Sequence, residues 1–244
     1  MNLDEYRIMY EVEDTHWWYR GLRKIISQSV VRNFKSDNLR ILDLGCGTGR
    51  TLSLLDSFGT VTGVDISGEA IQFSQKRGHE NLLVGSASSL PFDSNQFDLV
   101  CMMDVLYHKA VPDKSVPLEE AYRVLKQGGI LLINVPAYQW LRSSHDDAIH
   151  TDKRFTNGEL HDLLTEAKFS VEKITFWNTV LFPLIVLIRV LRRNRAGSGS
   201  DLENYRPGIA SAFLFGILKA ESYILRFVSF PFGLSIFSIG KKTT

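Results

Sequence analysis

Two acids and three glycines define the chemistry open to this chain of 244 residues. Asp43 stands inside an apolar run over 41–44, Gly45, Gly47 and Gly49 follow at alternate positions, and Asp65 closes a second apolar run twenty residues after Gly45. The first run reads as a buried parallel strand, and the glycines let the chain turn sharply with nothing between backbone and ligand. A carboxylate at that offset reaches the two hydroxyls of a ribose held over the first strand-to-helix turn. Three ligand classes use such a turn. A phosphate-binding P-loop needs Lys and then Ser or Thr after its last glycine, where this chain has Arg50 and Thr51. A dinucleotide site needs G-x-G-x-x-G, whereas the pattern here is G-x-G-x-G, and Asp43 would repel a pyrophosphate. An acid there suits a ligand carrying an ammonium and a sulfonium.

The pattern resembles the class I S-adenosylmethionine (SAM) dependent methyltransferases with a type 11 methyltransferase domain. LPFDSNQFDLV at 90–100 looks like the family's loop and fourth strand, and EEAYRVLKQGGILLINVP at 119–136 looks like its next helix, glycine turn and fifth strand. The resemblance implies SAM as cofactor and S-adenosylhomocysteine as product. It places the backbone of Gly45, Cys46, Gly47 and Gly49 at the amino-acid portion, Asp43 near its ammonium, Asp65 on the ribose and Ile66 on the adenine. Ser86, Ala87 and Met103 line the rest. Ser86 stands where relatives often carry an acid for the adenine amino group, and Gln127 replaces the proline of the usual LKPGG turn. THWWYRGLR at 15–23 resembles a tryptophan-rich entry segment of a subset of these enzymes. That likeness brings Trp18 and Arg23 to the cofactor, where an aromatic face attracts a sulfonium by about 0.5–2 kcal/mol. Ordinary core packing of an N-terminal helix is the competing reading.

The reacting groups are expected where the chain leaves the carboxyl edge of the sheet. After the fourth strand, MMDVLYHK supplies Asp104, Tyr107 and His108, with Tyr107 departing from the glutamate common in relatives. After the fifth, PAYQWLRSSHDDAIHTDKRFT at 136–156 gathers Tyr138, Trp140, His145, Asp146, His150 and Arg154. That loop resembles an HD…H…R-[YF]-T subset of small-molecule methyltransferases. In one arrangement Asp146 orients a histidine, His145 ahead of His150, whose other ring nitrogen takes the acceptor's proton. In another, Arg154 clamps a substrate carboxylate or phosphate, with Tyr138 and Trp140 beside it. The same polar groups could instead tie the loop down, Thr156 capping the helix that follows. The histidines lack the spacing of a zinc site.

These residues require a doubly wound, mostly parallel α/β sheet of seven strands. Strands are expected near 40–44, 60–65, 82–85, 97–102, 129–135, 170–178 and 232–242, and helices near 49–57, 68–77, 115–126 and 157–167. The expected division is an N-terminal helical cap at 1–39, a SAM-binding core at 40–178, an apolar helical insertion at 179–230 and a last strand at 231–244. The insertion holds an apolar run over 179–191, a basic tail of Arg189, Arg192, Arg193 and Arg195, a flexible Gly-Ser stretch at 197–200 and a second apolar helix. Interrupted by Pro183 and Arg189, the run is too short to span a bilayer. It serves as a lid over the acceptor, or 179–195 touches an anionic membrane surface.

A net charge of +1 gives no reason to expect nucleic acid as a partner. Two cysteines, Cys46 and Cys101, in buried segments argue against a disulfide framework and fit a reducing cytoplasm. The polar, acidic start does not read as a signal peptide. The expectation is an enzyme, a SAM-dependent methyltransferase directed to oxygen of a small, fairly apolar or lipid-linked metabolite of natural-product type, with a loop histidine as base. The alternatives are N- or C-methylation, a non-catalytic module at a membrane surface and a nicotinamide dehydrogenase. Oligomeric state is left open.

Overall fold

A computed structural model describes residues 3–192 and 205–243. Its strands are β1 (Leu39–Leu44), β2 (Gly59–Asp65), β3 (Leu82–Val84), β4 (Phe97–Met103), β5 (Leu125–Pro136), β6 (Phe169–Trp177) and β7 (Ser235–Lys242). They form one sheet in the order β3-β2-β1-β4-β5-β7-β6, in which β7 alone runs antiparallel to its neighbours. The strand order reverses between β1 and β4, so a crevice opens at their carboxyl ends, the usual ligand position of such sheets. β1 is apolar on both sides because both are covered: Ile41, Leu42 and Leu44 are fully buried.

One face of the sheet carries α5 (Ser115–Val124) and α7 (Asn157–Glu166); the other carries α2 (Trp17–Asn33), α3 (Arg50–Leu55) and the later α9 (Ile209–Ile224). Thr156 begins α7 as expected, accepting from the Glu159 amide while the Glu159 carboxylate accepts from the Thr156 amide. β5 starts at Leu125, four residues earlier than expected, because buried Leu125 pairs with Phe97 across a register shift before the glycine turn.

α1 (Leu3–Val12), α4 (Gly68–Lys76), α6 (Ser144–Ala148) and α8 (Phe182–Arg192) complete the set used below. α9 lies close against α2: a Cβ on Gly21 would sit 2.6 Å from Leu218 Cδ1, so the missing side chain sets their approach. Buried Trp177 joins β6 to β5 by donating from Nε1 to Asn134 Oδ1 at 2.7 Å. Arg193, Arg195 and the Gly-Ser stretch at 197–200 lie outside the described residues. No helix among the described residues is long and apolar enough to cross a membrane.

Candidate active site

The glycine turn follows β1 with φ of +73° at Gly45, +55° at Gly47 and +87° at Gly49, a left-handed path that only glycine follows without steric cost. Space demands the same residue, since a Cβ on Gly45 would lie 2.2 Å from Val105 Cγ2. Asp65, ending β2, accepts the Gly47 amide at 2.9 Å on one oxygen and the Ser67 amide at 2.9 Å on the other. Burial raises its pKa, and these two hydrogen bonds pull it back. A carboxylate has about four acceptor positions, so Asp65 retains capacity for hydroxyl donors.

Asp43 lies at the base of the turn. Its Oδ2 is buried without a hydrogen-bond partner, and burial, followed by the charge of Asp65, pushes its pKa up to about 8. An unpaired buried acid costs several kcal/mol unless a cation or proton compensates it.

α1, part of the expected N-terminal helical cap, roofs this turn. Met9 reaches over Gly47, its Cε 3.0 Å from where a Cβ would stand. Tyr6 is buried beside Asp65, and burial, then that charge, raises its phenol to about 12. Glu5, also buried on α1, leaves Oε2 without a partner. The end of the helix is latched. Glu13 accepts from the Thr48 hydroxyl and from Arg77 Nη2, the latter at 2.9 Å, while Arg77 Nε donates to the Thr48 carbonyl at 2.9 Å. Arg77 further pairs with Asp14 at 3.1 Å.

Trp18 packs its ring 5.3 Å from Trp177, and Arg23 donates to the Glu13 carbonyl at 2.7 Å, bracing the end of α1. Cys46 and Met103 are buried at the turn and at the end of β4, and Ala87 is partly buried in the adjoining core. Ile66 is 57% exposed, leaving an apolar surface next to Asp65. Ser86 Oγ accepts the Ser88 amide at 3.1 Å.

At the end of β4, Asp104 adopts φ of +59° and accepts from Asn134 Nδ2 at 3.0 Å. Burial raises it to about 7, against the pull of that hydrogen bond and of Arg154. Tyr107 is buried nearby, its phenol driven well above its usual range by burial and then by Asp104. His108 is pushed down to about 4, first by burial, so its ring is neutral at pH 7. Its Nδ1 accepts the Ala110 amide at 3.0 Å, which assigns the hydrogen to Nε2 and makes that atom a donor.

The loop after β5 differs from expectation in one pair. Asp146 faces Arg154 instead of a histidine: Nε to Oδ1 is 2.8 Å and Nη2 to Oδ2 is 3.0 Å, with the side chains 1% and 4% exposed. Arg154 Nη1 donates to the Ala137 carbonyl at 3.1 Å. A buried guanidinium needs such partners, and with both edges engaged it ties down the loop. Burial lowers His150, whose ring centroid is 5.8 Å from that of His108. His145 lies on α6, but its side chain falls outside the described residues. Tyr138 heads an aromatic group, stacked on Phe176 at 5.2 Å and tilted against Trp140 at 5.8 Å and Phe182 at 5.8 Å. Among the described residues, no group of three or more His, Cys, Asp or Glu is placed to hold a metal ion.

Residues 42–133 match the family described as a methyltransferase domain. Over those residues the chain is similar to methyltransferase domains. The demethylmenaquinone methyltransferase of Lactiplantibacillus plantarum is 33% identical over 152 residues, which cover 50% of this chain and 63% of that protein. The chain spans roughly half the length of the curated relatives it matches. Among solved structures, a SAM-dependent methyltransferase from Thermotoga maritima has a TM-score of 0.60 at 21% identity, covering 98% of this chain and 96% of that one. The Haemonchus contortus phosphoethanolamine N-methyltransferase 2 in complex with S-adenosyl-L-methionine has a TM-score of 0.59 at 19% identity, covering 90% of this chain and 52% of that one. These similarities agree with the observed sheet. SAM is the cofactor of this domain class, and the residues present fit it: a side-chain-free turn, an acid with spare acceptors and an orphaned buried carboxylate.

Proposed function

We propose that this chain binds SAM and transfers its methyl group to a small, fairly apolar acceptor. The observation that carries the reading is Asp43 Oδ2, buried and unpartnered beneath the left-handed glycine turn. In this reading Asp43 faces the cofactor's ammonium, Asp65 holds its ribose, Ile66 covers one adenine face, and Ser86, Ala87 and Met103 complete the wall. When bound, SAM supplies a methyl group already activated by a sulfonium. The chain's part is alignment, which in well-oriented pairs is worth on the order of 7–11 kcal/mol.

For the acceptor, Tyr138 and Trp140 offer aromatic faces, and Tyr107 with His108 offers hydrogen bonds near the end of β4. Transfer to oxygen releases a proton. Asp104, raised to about 7, is suited to take it at neutral pH. His145 and His150 on the loop remain the candidates of the histidine reading. An acceptor that is lipid-linked would also account for peripheral membrane contact through 179–195.

A second reading, transfer to carbon, is favoured by a relative from Geotalea daltonii named a ubiquinone/menaquinone biosynthesis C-methyltransferase. One experiment separates the readings. The protein is incubated with cell extract and SAM labelled in its methyl group, and products are read by mass spectrometry. A single product gaining the labelled methyl supports transferase activity, and acid-stable carbon attachment selects the second reading. Absence of any labelled product across extracts, with SAM bound, favours a non-catalytic module.

A further inference from the structure

α9 is amphipathic in the reverse sense. Its inward stripe includes Ser211, Glu221 and Ser222, all buried with Leu218, while Ile209, Phe213 and Ile224 face outward at 91%, 68% and 51% exposure. Phe227, just past the helix, is 85% exposed. The polar residues inside are satisfied: Glu221 accepts the Thr179 and Val180 amides at 3.0–3.1 Å, and Ser211 bonds the Thr15 carbonyl at 3.2 Å. A water-facing helix presents the opposite arrangement, with its apolar stripe toward the core. α8 repeats the theme. Leu184, Leu187, Ile188 and Leu191, at i, i+3, i+4 and i+7, form one helical face and are all exposed. The Glu221 bonds fasten the chain entering α8 to α9, and Phe182 at the start of α8 meets Phe232 at 5.8 Å.

Charge identifies the occupant. Among described residues 179–192 and 205–230, the sole acid is the buried Glu221, while Arg206, Lys219 and Arg226 are exposed. From α2, Arg20 lies 3.8 Å over Phe215 and Lys24 5.6 Å over Tyr223, adding cations along the aromatic margin. Exposed apolar side chains fringed by cations, with no exposed acid among them, match the interface of an anionic bilayer: hydrocarbon below, phosphates at the rim. We infer that α8 and α9 together form a docking face for an anionic membrane surface, centred on α9. The inference rests on the reading of an apolar, lipid-linked acceptor and extends it. The aromatic group of Tyr138, Trp140 and Phe182 stands at the α8 edge of this face, so an acceptor dissolved in lipid would meet the site without crossing water.

Co-sedimentation of the full chain with vesicles of phosphatidylcholine mixed with phosphatidylglycerol, and with phosphatidylcholine alone, tests this directly. Binding to the anionic vesicles, weakened by salt and reduced on the order of tenfold in partition coefficient by Phe213→Glu with Phe227→Glu, is the expected result. Both side chains are exposed, so the variant should keep the wild-type melting temperature and SAM affinity by calorimetry. Failure to bind either vesicle, or binding unaffected by the double substitution, overturns the docking face. So does a concentration-dependent dimer in sedimentation velocity that the same substitutions dissolve, since the face would then be covered by a second copy. SAM binding measured in parallel keeps this outcome apart from failure of the methyltransferase reading.

Discussion

Arg77, just past the end of α4, reaches Glu13, just past the end of α1, at 2.9 Å, and the same guanidinium holds the Thr48 carbonyl of the glycine turn. One side chain thus connects the roof of the cleft to its floor. Both partners are largely buried, so removing the cation strands a buried carboxylate that burial already strains toward protonation.

Arg77→Gln is expected to cost about 3 kcal/mol of stability by this mechanism, measured by urea denaturation. It should also raise the dissociation rate of SAM several-fold in stopped-flow displacement, because α1 loses its latch. An unchanged off-rate would mean that α1 does not enclose the ligand.

pH tests the state of Asp43. Its folded pKa of about 8 exceeds the ordinary 3.8, so its contribution to ligand-free stability is fully present below about 4 and is lost as pH rises through about 8. Asp104, raised to about 7, acts in the same direction. A cationic ligand needs Asp43 ionised. SAM affinity is therefore expected to rise by up to about tenfold per pH unit below 8 and then level, with proton release visible as buffer-dependent heat in calorimetry. Flat affinity across that range would remove Asp43 from the ammonium.

Asp104→Asn separates chemistry from binding. For an oxygen acceptor, kcat should fall by about 10²–10⁴-fold while SAM affinity changes little, and the wild-type rate should rise with pH through about 7 as the carboxylate ionises. Loss of turnover confined to His145→Ala would return the base to the loop histidine.

The Asp146–Arg154 pair predicts a stability effect. Arg154→Met leaves Asp146 buried and unpaired, at an expected cost of about 3–5 kcal/mol, and adding Asp146→Leu should recover part of it. A substrate clamp would instead raise KM with stability intact.

The glycine turn, the acid ending β2 and the positions of the strands along the chain were legible because each rests on local pattern: apolar runs, glycines at alternate positions and an acid at a fixed offset. Thr156 was legible as a cap for the same reason, its partner Glu159 being three residues away. Contacts between distant segments were not. Glu13 meets Arg77 across 64 residues, and Trp18 meets Trp177 across a still longer separation, with no periodicity to announce either. The loop after β5 was legible as a cluster of polar groups, but their pairing was not, because adjacency in sequence gives Asp146 to His145 while burial gives it to Arg154. Asp104 was visible as a residue, yet its raised pKa comes from enclosure by β5 and its neighbours.

The central claim is that the cleft beside β1 and β2 takes a positively charged methyl donor. Calorimetric titration of the wild-type chain and Asp65→Ala with SAM, and of the wild type with NAD, tests it most directly. The expected result is one SAM per chain, at least about tenfold weaker binding after loss of the ribose acceptor, and no tight NAD binding. SAM affinity untouched by Asp65→Ala, or tight NAD binding with none for SAM, would contradict it.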